Sequence, residues 1–352
     1  MPNWRRMAID AGMALFRVSR AHRLAEPFTR GVGVVLTFHG VRPKRADDGF
    51  EPNGAIEITP EFFDAVLTRL RQRGFEIVSL DAALARLRGG KADQTPFAAL
   101  SFDDGYRDLV AHALPILEQH RAPFIAYVTT GFADATARVW WAELEEAIRR
   151  LDRVDVAAGG LRFMRATSSA AEKNAAFSEL YVRLGMGDDE ERLSVVAALA
   201  REAGIDPRET TRELCLGWDE LRALARHPLA TIGAHTLTHP RLARLSREQA
   251  MVEMAESRAR LRAELGVAAA HFCYPYGGHG AAGAREFALA EELGFASAAT
   301  TRPGMLFSEH CERLAALPRL SINGRHQSVA ALDVLLSGAP FALLNGGRRV
   351  AA

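Results

Sequence analysis

Two adjacent carboxyl residues follow an apolar run in the first third of the chain. Asp103 and Asp104 stand in "LSFDDGY" (100–106), directly after "PFAALSF", which reads as a buried strand. Like charges this close resist ionising together, so the pair does not serve stability alone. A strand that ends in two carboxylates therefore indicates a functional site.

Two histidines end a second apolar run. His235 and His239 lie four residues apart in "GAHTLTHP" (233–240), after the strand candidate "ATIGA". On a helical turn this spacing brings two imidazoles to one face, which can hold a metal ion. Solvent-facing histidines at this spacing also occur by chance. With one carboxylate from the other strand end, however, the pair makes a three-ligand set that leaves metal positions open, as a catalytic zinc requires.

Alternating strands and helices must bring these strand ends together. Seven or eight short apolar runs alternate with helical patterns, which predicts a parallel sheet covered by helices, with a closed or partly closed barrel as one solution. In such barrels the site lies at the C-terminal ends of the strands. The polar strand ends are His39, Asp103 with Asp104, His235 and the "YPYG" turn (274–277). The strand candidates are 31–38, 76–80, 97–102, 124–130, 230–234, 271–277, 295–300 and 317–322.

Three of these motifs together resemble a known family. "SFDDGY", "HTLTHP" and "YPYG" look like successive signature motifs of the polysaccharide deacetylase, or NodB-homology, family, and "GWDELRALA" before the histidines is similar as well. The resemblance covers roughly 31–132 and 214–322. It implies an α/β fold, a distorted (β/α) barrel of seven or eight parallel strands, and hydrolysis of an acetyl group on a carbohydrate.

The resemblance also implies a role for each matching residue. Asp103 corresponds to the general base, which takes a proton from metal-bound water. Asp104, His235 and His239 correspond to the ligands of a divalent metal; zinc fits these donor types best, although cobalt, nickel and iron prefer similar sites. A backbone N–H of the "PYG" segment, at Tyr276, would stabilise the oxyanion of the tetrahedral intermediate.

The chain departs from the family pattern at two places. Cys273 stands where the family often has an arginine that orients the base, and we expect its thiol to be buried and apolar. No clean match exists to the late motif whose histidine acts as general acid. His39, His310 and His326 are the candidates, and His39 is preferred because it ends the first strand. Arg319 could reach the site from the last strand or form a structural salt bridge.

The favoured function is a metal-dependent hydrolase that removes N-acetyl groups from an amino-sugar oligo- or polysaccharide or a lipid-linked precursor. Two alternatives remain open. The same metal and base could cleave an O-acetyl ester or a non-sugar amide. The missing arginine and late histidine are also compatible with a catalytically silent carbohydrate-binding homologue.

The alternation of strands and helices stops between about 133 and 213. This stretch is rich in Ala, Arg and Glu and predicts a helical insertion without strands. Trp140 and Trp141 begin one of its helices; indoles stack on sugars, but we expect these two to belong to the core of the insertion. The predicted organisation is an N-terminal helix (1–30), a deacetylase barrel (31–132 and 214–325), the insertion (133–213) and a C-terminal helix and tail (326–352).

Composition limits the partners and the compartment. The 352 residues carry a net charge of +1, which gives no indication of nucleic-acid binding, and no run of 18 apolar residues predicts a spanning helix. Three widely spaced cysteines favour a reducing compartment over a disulfide framework, so we expect a cytoplasmic protein.

The N-terminal segment reads as a basic amphipathic helix. It could lie on an anionic surface, giving peripheral contact with the inner membrane surface, or it could pack on the protein body. Its apolar face carries Trp4, Met7, Ala11, Leu15 and Val18, and the opposite face carries Arg5, Arg6, Arg17, Arg20 and Arg23.

Overall fold

A ring of parallel strands forms the centre of the computed structural model, which describes residues 12, 14–45, 48–89 and 95–350. The strands are β1 (Gly33–Phe38), β2 (Gly40–Val41), β3 (Glu57–Ile58), β4 (Glu76–Ile77), β5 (Phe97–Phe102), β6 (Phe124–Val128), β7 (Arg153–Ala158), β8 (Leu161–Ala166), β9 (Ala230–Ala234), β10 (His271–Cys273), β11 (Ser297–Pro303) and β12 (Leu317–Ser321).

Seven of these strands close into a barrel. The order is β1-β12-β11-β10-β9-β6-β5, and parallel pairing of β1 with β5 closes the ring. The short strand β4 pairs with the first residues of β5. Strands β1, β5 and β6 are buried along their whole length, as expected for a sheet covered on both faces. The predicted (β/α) barrel is therefore confirmed, and the C-terminal ends of its strands converge on one rim.

Helices surround the barrel and fill the insertion. They are α1 (Ala21–Thr29), α2 (Pro60–Gln72), α3 (Leu80–Gly89), α4 (Leu114–Gln119), α5 (Thr130–Ala133), α6 (Trp140–Arg150), α7 (Ala170–Met186), α8 (Asp189–Glu202), α9 (Pro207–Leu214), α10 (Trp218–Ala225), α11 (Arg247–Leu265), α12 (Ala284–Glu292), α13 (Val329–Leu336) and α14 (Ala339–Leu344). A π-helical segment, Leu109–Ala113, precedes α4, because Pro115 lacks the N–H that a regular α-helical turn requires there.

The insertion has its own hydrophobic core, and it contains strands. Strands β7 and β8 form an antiparallel hairpin whose Val154 and Val156 face inward and whose turn, Gly159-Gly160, has positive φ at both residues. The prediction of an insertion without strands is wrong. Gly-Gly between two runs of alternating apolar and polar residues is typical of a hairpin. Here the two runs are short and contain several charged residues, so the strand pattern is weak in the sequence.

The N-terminal segment is not one continuous helix in its described part. Arg20 adopts a left-handed conformation (φ 55°), which ends the first helical stretch, and α1 begins at Ala21. The rest of the predicted helix, including Trp4, Met7, Ala11, Arg5 and Arg6, lies outside the described residues. Within the part of the chain that the structure describes, no helix has the length and apolar character needed to cross a bilayer.

Candidate active site

Asp104 and the two histidines meet at the rim of the barrel. Asp104 follows β5 and His235 follows β9; Asp104 Oδ1 lies 3.3 Å from His235 Nε2 and 3.2 Å from His239 Nε2. All three side chains are buried. Ligand atoms bound tetrahedrally to zinc at the usual bond lengths stand roughly 3.3 Å apart. No described residue makes a hydrogen bond to Asp104 Oδ1, so this buried oxygen is suited to bind a metal cation.

The segment that carries the two histidines is an irregular loop and not the helical turn that the spacing suggested. Thr236 and His239 both have positive φ, at 65° and 64°, which is unusual for residues other than glycine. Side chains fix this strained backbone: the Thr236 hydroxyl accepts from His239 N–H, and the Glu253 carboxylate accepts from the N–H groups of Leu237 and Thr238. The loop is thus preorganised by contacts that a helix would not need.

Hydrogen bonding sets the orientation of His235. Its Nδ1 lies 2.7 Å from the carbonyl oxygen of Cys273, which can only accept, so Nδ1 carries a proton and Nε2 is the nitrogen that faces Asp104. The ring of His239 is packed by aromatic neighbours instead, with centroids at 5.8 Å (Phe132), 5.1 Å (Trp141) and 4.9 Å (Tyr276).

Asp103 is held by an arginine from another strand. Arg319, on β12, donates from Nη1 to Asp103 Oδ1 and from Nη2 to Oδ2, both at 2.7 Å, and both side chains are almost completely buried. The guanidinium also donates to the carbonyl oxygen of Thr300 and to the hydroxyl of Ser101. Arg319 therefore supplies the bidentate contact that the sequence at position 273 lacks.

Cys273 lies inside this charged cluster. Its Sγ is 3.0 Å from Arg319 Nη2 and 3.7 Å from Asp103 Oδ2, and the residue is fully buried. The thiol is buried, as expected, but the expectation of an apolar environment is wrong. Burial raises the pKa of Cys273, so it remains a neutral thiol at neutral pH. Its small volume leaves space for Arg319 to reach Asp103.

The electrostatics favour two ionised carboxylates. Burial alone would raise the pKa of Asp103, but the opposing Arg319 lowers it below the ordinary value. Burial would also raise the pKa of Asp104. The imidazoles of His239 and His235 outweigh this effect and hold the pKa of Asp104 well below its usual range. Each aspartate thus has its own positively polarised partner, which allows neighbouring carboxylates to coexist.

Of the three candidate acids, His39 lies at the site. Its Nε2 is 4.0 Å from Asp103 Oδ2, and its side chain is 23% exposed, in contrast to the buried metal-ligand candidates. His310 is buried in a short turn, where its ring contacts Phe307. His326 lies in the 3₁₀ segment after β12. The structure therefore brings His39 together with the two aspartates and not His310.

Tyr276 presents its backbone beside His239. Its φ is 61°, its carbonyl accepts from the Thr301 hydroxyl, and no described acceptor bonds to its N–H. Gly277 follows with positive φ, and a Cβ there would meet Thr301 N at 2.4 Å, so only glycine fits this turn. The strained turn leaves the Tyr276 N–H available to an oxyanion.

The insertion supplies a wall of the site. Trp140 and Trp141 are buried in its core, as expected. They also extend beyond it: Trp140 Nε1 donates to Tyr276 Oη at 2.9 Å, and Trp141 Nε1 donates to Tyr106 Oη at 2.8 Å. No sequence motif indicates this contact of the indoles or the contacts of Glu253 with the histidine loop. The burial of both indoles leaves them unavailable as open platforms for a sugar.

Comparisons with known proteins concern the family and the fold of this chain. The model of the family described as "Polysaccharide deacetylase" matches residues 90–297. A curated relative, the poly-beta-1,6-N-acetyl-D-glucosamine N-deacetylase of Escherichia coli (strain K12), is 28% identical over 119 residues. That match spans 34% of this chain and only 17% of the relative's length.

Two solved structures share the fold. The Streptococcus pyogenes deacetylase PplD in complex with acetate is 16% identical, covers 86% of this chain and 96% of its own, and gives a TM-score of 0.57. IcaB from Ammonifex degensii is 17% identical, covers 87% of this chain and 97% of its own, and gives a TM-score of 0.54. At these low sequence identities, the two structures show that the fold is shared and no more. Because the family model spans more than half of the 352 residues, the chain belongs to the polysaccharide deacetylase family.

Proposed function

We propose that this protein is a metal-dependent hydrolase that removes N-acetyl groups from an amino-sugar oligo- or polysaccharide. One observation carries the proposal: the cluster of Asp104, His235 and His239 lies beside a second carboxylate, Asp103, which Arg319 holds in a fixed orientation. A metal-ligand set next to an oriented base is the minimum apparatus for hydrolysing an acetyl group.

Asp104 Oδ1, His235 Nε2 and His239 Nε2 would hold the cation. A divalent metal, with zinc the best fit to two imidazoles and one carboxylate, supplies Lewis acidity and acidifies water when bound. Asp103 accepts the proton at a carboxylate oxygen, and Arg319 keeps that carboxylate ionised and aimed. The Tyr276 N–H donates a hydrogen bond to the oxyanion.

His39 acts as the general acid in this proposal. It lies close enough to Asp103 to exchange a proton after a small movement, and its partial exposure leaves the imidazole accessible to a leaving amine. We expect His39→Ala to lower kcat at least 100-fold while metal content stays stoichiometric. Full turnover in that variant would refute this assignment and leave the rest of the proposal standing.

Acetate release from an N-acetylglucosamine oligomer tests the reaction. We expect chelation to abolish release, zinc to restore it, and Asp103→Asn to bind the metal without turnover. The matched O-acetyl substrate distinguishes an N-deacetylase from an O-acetyl esterase, because the same residues can attack an ester. Faster acetate release from the O-acetyl substrate would indicate the esterase. Stoichiometric metal with no turnover on either substrate would favour a silent carbohydrate-binding homologue.

We further propose peripheral contact with an anionic membrane, on the cytoplasmic side. Helix α1 packs against α14, with the Thr29 hydroxyl donating to the Ser337 carbonyl. Large apolar side chains remain exposed on both helices: Leu24 (82%), Phe28 (74%) and Leu343 (72%). Such a patch beside exposed arginines suits an interfacial position on anionic lipid. The arginines are Arg17, Arg20 and Arg23.

Sedimentation with vesicles containing anionic lipid tests this contact. We expect Leu24→Asp combined with Phe28→Asp to abolish binding, and Val252→Asp, at an exposed valine on α11, to leave it intact. Binding should weaken as salt rises, because the arginine contribution is screened. Equal loss in both variants, or a concentration-dependent dimer in place of vesicle binding, would contradict the proposal.

A further inference from the structure

An arginine beside the histidine loop carries a charge close to the proposed metal site. Arg241 lies two positions after His239 in the sequence. Its guanidinium carbon is 4.1 Å from the centroid of the Tyr276 ring, and that ring lies 4.9 Å from the ring of His239. The positive charge of Arg241 therefore stands one aromatic ring away from a proposed metal ligand, on the rim where the acetyl group would react.

No described acid neutralises Arg241. Its Nη1 is buried without a hydrogen bond to any described residue, and the side chain forms no salt bridge within the described chain. Its burial lowers the pKa of the guanidinium, because a charge partly withdrawn from water is costly without a counter-ion. By contrast, Arg45 pairs with Glu57 at 2.8 Å, and Arg107 pairs with Glu220 at 2.9 Å.

Two further arginines add to the positive charge around Arg241, and both act to lower its pKa. Arg192, on α8, is 3% exposed, and its guanidinium carbon lies 5.1 Å from the centroid of the Trp140 ring. In the described chain its carboxylate neighbour is Asp189, at 2.7 Å. Arg244 is exposed and donates to two backbone carbonyl oxygens rather than to a carboxylate. A bound anion would relieve the repulsion among these three cations.

The two aspartates of the site do not cancel this charge. Arg319 neutralises Asp103, and the proposed metal would neutralise Asp104. The side of the site formed by Arg241 thus stays positive when the metal is bound. A guanidinium presents parallel N–H donors that match the oxygens of a carboxylate or a phosphate, and its charge strengthens those hydrogen bonds.

We propose that Arg241 binds an oxyanion, a carboxylate or a phosphate, that the substrate carries close to its acetylated sugar. A pyranose ring and the ring of Tyr276 are similar in width, so an acidic group on the same or the next unit can reach Arg241 while the acetyl group lies at the metal. The substrate would then be an acidic glycan or a phosphate-linked sugar and not a neutral homopolymer. This choice of a carbohydrate rests on the proposed function.

Isothermal titration calorimetry of the full-length protein tests the anion site with two matched pairs of probes. A tetrasaccharide that alternates N-acetylglucosamine with glucuronate is compared with a neutral tetramer of N-acetylglucosamine. N-acetylglucosamine 1-phosphate is compared with N-acetylglucosamine. We expect the wild type to bind at least one acidic probe about tenfold more tightly than its neutral counterpart, and this preference to weaken as salt rises. The pair that shows it distinguishes a carboxylate from a phosphate.

Three substitutions distinguish Arg241 from the general charge of the protein. Arg241→Gln should remove most of the preference, and Arg241→Lys should keep part of it, since the charge remains. Arg262→Gln is the matched control: it removes the same charge from an exposed arginine in the last turn of α11, which leads to the start of β10 at the opposite end of the barrel. It should bind all four probes as the wild type does. Each titration is made with zinc-loaded and with metal-stripped protein.

The outcomes separate this anion site from the proposed function. Equal affinity of the wild type for acidic and neutral probes would overturn the site, and so would a preference that disappears with the metal. Equal losses in Arg241→Gln and Arg262→Gln would overturn it too. If Arg241→Gln weakened neutral and acidic probes alike, Arg241 would only support Tyr276. Should Arg241→Gln not fold, an unchanged preference in Arg244→Gln together with no salt dependence would overturn the site. A preference that depends on Arg241 without any acetate release would refute the proposed reaction and leave the anion site standing.

Discussion

The buried pair of Arg319 and Asp103 makes the sharpest prediction about stability and turnover together. Arg319 is 1% exposed and Asp103 is 3% exposed. Arg319→Met would keep most of the side-chain volume but leave a carboxylate buried without its partner. Breaking such a pair typically costs about 3–5 kcal/mol, and the two further acceptors that Arg319 now satisfies add about 1 kcal/mol each. We therefore expect the free energy of unfolding to fall by at least about 4 kcal/mol.

Urea denaturation of metal-free protein, followed by circular dichroism, measures this loss. A partly exposed pair provides the matched control: Arg69 donates twice to Asp333, at 2.8 and 2.7 Å, and Arg73 also bonds to Asp333. Arg69→Met should cost about 1 kcal/mol or less, because solvent screens the pair and Arg73 remains.

The double variant Arg319→Met with Asp103→Asn distinguishes charge from packing. Removing both charges should recover most of the lost stability, giving a coupling of at least about 2 kcal/mol between the two positions. Turnover should fall at least 100-fold in Arg319→Met, where the base loses its orientation. If Arg319→Met lost no more stability than Arg69→Met and kept full turnover, the argument that Arg319 positions the base would be refuted.

Three further predictions follow from other contacts. Burial raises the pKa of Asp108 from 3.8 to about 7, so the folded protein keeps a proton there that the unfolded chain releases, and stability falls as pH rises between those values. Asp108→Asn should accordingly be more stable than wild type at pH 8 by at least about 1 kcal/mol and nearly equal at pH 4, as urea titrations would show. Glu253→Ala should weaken metal affinity about 10- to 100-fold in chelator competition, whereas the exposed Glu256→Ala should not. Gly277→Ala should lower the melting temperature and turnover, while Gly278→Ala, whose Cβ would meet nothing within 4 Å, should change neither.

The sequence was sufficient to predict the barrel and the meeting of its motifs. Parallel strands joined by helices place all their C-terminal ends on one rim. Residues at strand ends 131 positions apart can therefore be predicted to be neighbours before any side-chain packing is known. Asp104 and His235 are such a pair, and they lie 3.3 Å apart. The barrel strands could be predicted because these runs are short, apolar and bounded by helical patterns.

Local spacing was a weaker guide to the backbone. The four-residue interval of His235 and His239 suggested a helical turn. The loop instead brings both imidazoles to Asp104 through a backbone with two residues at positive φ. Its conformation depends on Glu253, on a helix that follows it in the sequence. No local rule predicts a conformation that a distant side chain stabilises.

The residue types at the strand ends were enough to predict the chemistry: two aspartates and two histidines, gathered at one rim, have the donor atoms for the proposed metal site and the proposed base. Only the tertiary structure decided how the base is held and what encloses the site. Arg319 and Asp103 lie 216 positions apart, and their contact exists because β1 separates β12 from β5 in the closed ring, so both side chains point into the same interior. The wall formed by Trp140 and Trp141 likewise depends on the docking of the insertion against the barrel. Hydrophobic pattern specifies which face of an element is buried, whereas the identity of the partner across a core is set by packing over the whole chain.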